Sequence, residues 1–220
     1  MTSARPVAVS AAVSGVSAVT ALVLYAVLWA GWARGWPWVD GPDGRALEAA
    51  HGLAQAHGWW VPLWDGLSTV SDPAVWRALV VVPVLLELRR GRTRVAVFLA
   101  VSVWGSGIVS VAAKQLAERD RPVTQLVAAS GMSFPSGHAL GVLVAVGALL
   151  VVYARSVRAH VRGVLTVAGA VLCVAVGVAR VALNVHHPSD VLAGWALGSA
   201  WLLLCLYGCL YRGRYTGSTR

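Results

Sequence analysis

Long apolar runs separated by short polar stretches organise this chain, and six of them read as membrane-crossing helices. The first follows Arg5 and runs from Pro6 to Ala30, too long for the apolar core of ~7–15 residues that a secretory signal carries. The next stretch, Gly31 to Asp72, is rich in Gly, Trp and Asp. Within it Ala46–Leu53 has the pattern of an amphipathic helix lying in the interface, and Trp36, Trp38, Trp59, Trp60 and Trp64 fit an aromatic belt at headgroup level. His51 and His57 read as surface histidines there. A second span starts near Asp72 and continues through Ala78–Leu86. Pro83 and Glu87 intrude on it, and Arg77 is expected to snorkel outward. The remaining spans are Val95 to about Leu116, Ala139 to Tyr153, Val164 to Leu183, and Pro188 to Tyr211. Their short connections predict an antiparallel bundle. The expected fold is therefore all-α: a polytopic membrane protein with six transmembrane helices in one bundle. With no fixed-period repeat and no low-complexity linker, residues 1–220 are expected to form a single membrane-embedded domain, with the chemistry concentrated in 95–211.

Composition supports that pattern. Hydrophobic residues make up 58% of the 220 and charged ones 12%, with a mean hydropathy of +0.70; soluble domains carry about twice that charged share. The net charge of +9 could suit nucleic acid, but the basic residues are scattered among apolar runs, so no nucleic-acid partner is expected. Cys173, Cys205 and Cys209 lie inside apolar runs without metal-ligand spacing and read as inert thiols.

Charge placement orients the bundle. With the N-terminus in the cytoplasm, the inner segments hold Arg5, Arg89, Arg90, Arg92, Arg94, Arg155, Arg158, Arg162, Arg212, Arg214 and Arg220, against one acid, Glu87. The other basic residues share the outer side with all the remaining acids. That satisfies the positive-inside rule and places both termini in the cytoplasm. The outer ends of spans three to six then meet on one extracytoplasmic face.

Three clusters of reactive residues fall on that face. They are Lys114-Gln-Leu-Ala-Glu-Arg-Asp-Arg121-Pro122, Phe134-Pro135-Ser136-Gly137-His138, and Arg180-Val-Ala-Leu-Asn-Val-His186-His187-Pro188-Ser-Asp190. Lys114, Arg121 and Arg180 supply three cations from three segments, which suits the anionic oxygens of a phosphate. Ser136 offers a hydroxyl, and Gly137 lets a backbone N–H approach an anion where a helix begins. Pro188 suits the first turn of a helix, so His186 stands just before one and Asp190 lies in its first turn. A carboxylate so placed can hold one imidazole nitrogen and leave the other free to attack phosphorus. His138 is the candidate general acid for the leaving group and general base for water.

Other readings are open for single residues. Lys114, Arg119 and Arg121 could anchor lipid headgroups; Ser136-Gly137 could merely cap a helix; His138 could be interfacial. His186, His187 and Asp190 could bind zinc, although the spacing selects His186 and leaves His187 as a neighbour pointing elsewhere.

Taken together, the three clusters resemble the signature of the type 2 phosphatidic acid phosphatase family, over roughly Lys114 to Gly194. The one departure is Ala179, where the family often has Ser. The resemblance implies a membrane phosphatase whose catalytic residues are His186, His138 and Asp190 and whose phosphate-binding residues are Lys114, Arg121, Ser136, Gly137 and Arg180. It implies no metal and no cofactor. A site at the edge of a membrane implies a lipid phosphate or diphosphate as partner, with its tail in the bilayer. A polyprenyl diphosphate such as undecaprenyl diphosphate and a phosphatidic acid-like lipid suit the charges equally. The outward-facing site of a short chain inclines the expectation to the former, in a bacterial plasma membrane. A phosphotransferase using the same site, a non-enzymatic anion-binding or transport protein, and a haem protein built on paired histidines are the alternatives.

Overall fold

Eight α-helices follow one another in the computed structural model, which describes residues 11–211. They are α1 (Ala11–Ala33), α2 (Pro37–Ala56), α3 (Trp60–Val70), α4 (Pro73–Arg89), α5 (Thr93–Ala117), α6 (Gly137–Tyr153), α7 (Ala159–Ala182) and α8 (Pro188–Leu206), closed by a π-helical turn at Tyr207–Tyr211. The expected start of the first span at Pro6, the basic residues Arg5, Arg212, Arg214 and Arg220, and both chain termini lie outside the described residues. Among the described residues, five segments are long and apolar enough to cross a membrane: Gly15–Ala33, Trp60–Arg89, Thr93–Ala117, Ala159–Ala182 and Pro188–Cys209; α6 is a shorter apolar helix. The protein is thus an all-helical integral membrane protein, as the hydropathy pattern predicts.

Two boundaries differ from expectation. The second span begins at Trp60, not near Asp72, because the run from Trp60 to Val70 is itself apolar apart from Asp65. The break at Ser71-Asp72 is local: Asp72 caps α4 by accepting the Ala74 N–H at 2.7 Å, and Pro73 fills the first helical position. Arg77 does not snorkel away from the bundle. Its guanidinium lies against Gly107 of α5, where an added Cβ would come within 2.7 Å of Nη2.

The interfacial helix expected at Ala46–Leu53 is longer, spanning all of α2. Its buried residues Val39, Asp43, Leu47 and Ala50 follow helical spacing, so one face of α2 lies on the bundle and carries a carboxylate inward.

Helix α8 packs chiefly against α1 and α6, and α5 against α4 and α6. The α6–α8 approach is close because Gly194 and Gly198 face α6: a Cβ on Gly194 would sit 2.6 Å from the Ser136 carbonyl oxygen, and one on Gly198 3.1 Å from that of Leu140. Phe134 is fully buried between these helices and α1, with its ring 5.6 Å from that of Tyr25 and 6.1 Å from that of Trp32. Far from this end, buried Glu87 accepts from Arg90 at 3.0 Å and from Tyr153 at 3.1 Å, and pairs with Arg92. That end also carries the turn holding Arg89, Arg90 and Arg92.

Candidate active site

The last turn of α5, the loop 118–136, the start of α6 and the α7–α8 turn converge on one cavity of about 680 Å³. Lys114, Arg121, Gly137, His138, Arg180 and His186 all line it, so three separate sequence clusters share one space.

Asp190 and Ser136 do not line the cavity; they stand behind its wall. Asp190 is fully buried in the first turn of α8, with its Oδ2 3.4 Å from His186 Nδ1. Arg121 fixes the other side of the ring, its Nη1 lying 3.3 Å from His186 Nε2 and 2.7 Å from the Val185 carbonyl oxygen. A guanidinium can only donate, so Nε2 is the accepting nitrogen and the Nδ1–H faces the carboxylate. Burial pushes the His186 imidazole down to about 3, with the bond to Asp190 pulling the other way, so the ring is neutral. Burial also lowers Arg121, opposed by the charge of Asp190.

Ser136 caps α6. Its backbone N–H donates to the Asp190 carbonyl at 2.9 Å, while its buried hydroxyl has no partner among the described residues. A Cβ on Gly137 would meet Ser110 Oγ at 3.2 Å, so the wall is tight there. Lys114 donates to the carbonyl of Met132, and Arg180 donates to Ser68 Oγ through Nη1, leaving its Nε buried and without a partner among the described residues. His138 Nε2 stands 3.6 Å from Asp72 Oδ2.

His187 does not point elsewhere, as its position beside His186 suggests it should. Both its backbone N–H (2.8 Å) and its ring Nδ1 (3.2 Å) reach Asp190 Oδ2, completing a capping box on α8. Among the described residues, no group of three His, Cys, Asp or Glu side chains is placed to hold a metal ion, so His186, His187 and Asp190 do not form the zinc site considered for them.

Several residues around the site escape a reading of the sequence. Arg119 is no plain headgroup anchor: it is buried, donating to Asp190 Oδ1 (2.7 Å), Ser189 Oγ (2.7 Å) and Asp43 Oδ2 (2.9 Å), with its charge 5.4 Å from the Trp32 ring centre. Asp43 also accepts the Ser189 N–H at 2.9 Å. Ser133 donates to Asp190 Oδ2. The only local hints are the place of Arg119 two residues before Arg121 and the Asp72-Pro73 cap sequence; nothing near Asp43 announces its partner.

The comparisons with known proteins agree with this geometry. The family model described as the PAP2 superfamily matches residues 95–214. Phosphatidylglycerophosphatase B of Bacillus subtilis (strain 168) is 40% identical over 89 residues, which are 39% of this chain and 43% of that protein, so the alignment spans less than half of the relative's length. The crystal structure of a transmembrane PAP2 type phosphatidylglycerolphosphate phosphatase from Bacillus subtilis superposes with a TM-score of 0.74 over 93% of this chain and 98% of that one, at 22% identity.

Proposed function

Because this chain belongs to the PAP2 superfamily, we propose that its cavity removes a terminal phosphate from a membrane lipid through a phosphohistidine intermediate, without a metal ion. The observation that carries the reading is the convergence of Lys114, Arg121 and Arg180 around the neutral, carboxylate-backed imidazole of His186. The phosphate oxygens draw Arg121 off His186 Nε2 and onto themselves, which frees the nitrogen lone pair. His186 Nε2 then bonds to phosphorus as the P–O bond to the lipid breaks, and His138, which takes up a proton when the phosphate dianion binds beside it, delivers that proton to the departing oxygen. The buried Asp190 stabilises the ring as it becomes positive. In the second half His138 takes a proton from water, the hydroxyl attacks phosphorus, and the N–P bond breaks to release phosphate. Asp72, beside His138 Nε2, is placed to hold that imidazolium in the exchange.

The substrate class follows from position. A cavity at the end of a helical bundle suits a lipid whose headgroup rises from the bilayer. Phosphatidylglycerophosphate, suggested by the names of the similar proteins, and a polyprenyl diphosphate both fit its charge. The positive-inside count supports a site on the extracytoplasmic face of a bacterial plasma membrane. Phosphate release from a panel of lipid phosphates in detergent, with chelator present, tests the reading. The wild type should be active and His186→Ala inactive. A His186→Ala protein of undiminished activity would overturn the mechanism, and an inactive wild type the function.

A further inference from the structure

The three cations around His186 do not account for a fourth. Arg77 of α4 lines the same cavity, at membrane depth, and among the described residues it has no hydrogen-bond or ion-pair partner. An unpaired guanidinium there is costly and implies a use. Its seat is Gly107 of α5, whose missing side chain leaves room for Nη2. Gly107 precedes Lys114 by seven residues, ~10 Å of helix rise, so Arg77 stands well below the terminal-phosphate cations. It also forms part of the wall of a second, mainly apolar groove of about 540 Å³, lined by Trp104, Ile108 and Val111 of α5, all three exposed on the outside of the bundle. Arg77 therefore marks the seam between a polar headgroup chamber and an apolar channel that suits a lipid tail.

We propose that Arg77 recognises a second, inner phosphate of the substrate. The terminal phosphomonoester lies among Lys114, Arg121 and Arg180. An anionic phosphodiester, set back toward the tail by a short polyol linker, meets the guanidinium of Arg77, and the tail leaves along the groove. The cavity of about 680 Å³ is of the size that takes a whole small-molecule ligand, far more than one phosphate fills. The offset along α5 favours a linker-spaced diester over a diphosphate, whose second phosphorus follows directly through one bridging oxygen. This inference rests on the phosphatase reading for its chemistry but not for its binding geometry.

Two measurements on the full-length protein separate them. In the first, kcat/KM is compared for phosphatidylglycerophosphate, a polyprenyl diphosphate and phosphatidic acid. In Arg77→Gln the ratio for phosphatidylglycerophosphate over phosphatidic acid should fall about tenfold or more, the loss of a charge-assisted bond. Gly107→Ala should lower the same ratio, because the new methyl displaces only the end of the Arg77 side chain and leaves the fold intact. A parallel loss on the diphosphate would support an inner-phosphate site that accepts either spacing; an unchanged ratio in both variants would overturn it. In the second, calorimetry compares propane-1,3-bisphosphonate with propylphosphonate, neither of which can be hydrolysed. The wild type should prefer the bisphosphonate about tenfold, and Arg77→Gln should lose that preference. Preference without turnover on any lipid sinks the phosphatase reading and keeps the subsite. Turnover without preference does the reverse.

Discussion

His186 and His138 each face a carboxylate, but the two pairs differ in setting. Asp190 is fully buried 3.4 Å from His186 Nδ1, whereas the Asp72 side chain is 47% exposed and 3.6 Å from His138. A buried partner is screened far less by water than an exposed one. Asp190→Asn should therefore lower kcat by roughly a hundredfold or more with little change in KM, as expected when an orienting carboxylate is lost. Asp72→Asn should lower it much less. Steady-state kinetics of the two variants on one lipid decides the ranking. Asp43 and Arg119 form a pair in which both side chains are over nine-tenths buried. Removing Asp43 leaves Arg119 with Asp190 as its remaining carboxylate, so the cost should fall short of the about 3–5 kcal/mol of a fully stranded buried charge. Asp43→Ala should show that loss in denaturant unfolding and a fall in kcat as well, because Arg119 also holds Asp190. The neutral His186 gives a pH signature. Its folded-state value, about 3, lies below the ordinary 6.5, so between the two the unfolded chain binds the extra proton. The associated stability is complete above pH 6.5 and drains away as pH falls toward 3, by up to ~1.4 kcal/mol per pH unit. Melting of the wild type across that window should be steeper in pH than melting of His186→Asn.

At the scale of elements, the distance between His138 and His186 is set by how closely α6 meets α8. Gly194 has no room for a side chain, since its Cβ would stand 2.6 Å from the backbone oxygen of Ser136 and 3.1 Å from Ala139 Cβ. Backbone cannot give way as a flexible side chain can, so Gly194→Leu should push the start of α6 outward and carry His138 away from His186. Activity should collapse, and stability should fall by the 1–3 kcal/mol typical of overpacking. Gly163→Ala, where a new Cβ meets nothing within 4 Å, serves as the control and should keep activity. The loop between α5 and α6 shows why a helix pattern alone does not build a site. It crosses back to the α7–α8 turn, with the Leu126 N–H on the Leu183 carbonyl at 3.0 Å and Asn184 Nδ2 on Thr124 Oγ1 at 2.9 Å, and so brings Arg121 onto the Val185–His186 backbone.

For the molecule as a whole, the helices were legible because burial in lipid demands long apolar runs, a signal carried by neighbouring residues. The site residues in the second half were legible through three short motifs that fold onto one end of the bundle. Asp43 and Ser68 were not, because each acts on a partner far away in the chain: the Asp43–Ser189 contact spans 146 positions and the Ser68–Arg180 contact 112. Local periodicity records that a side chain faces inward, not whom it meets. The same long reach carries a lesson for anyone wishing to trim this protein. A fragment opening at Val95 would keep every signature residue, yet it would cost Arg119 one of its two carboxylates by deleting Asp43, and it would strip Arg180 of Ser68 and His138 of Asp72. The motif-free half is the mould in which the reactive half is set, and a shortened enzyme would inherit the tools without the bench that holds them.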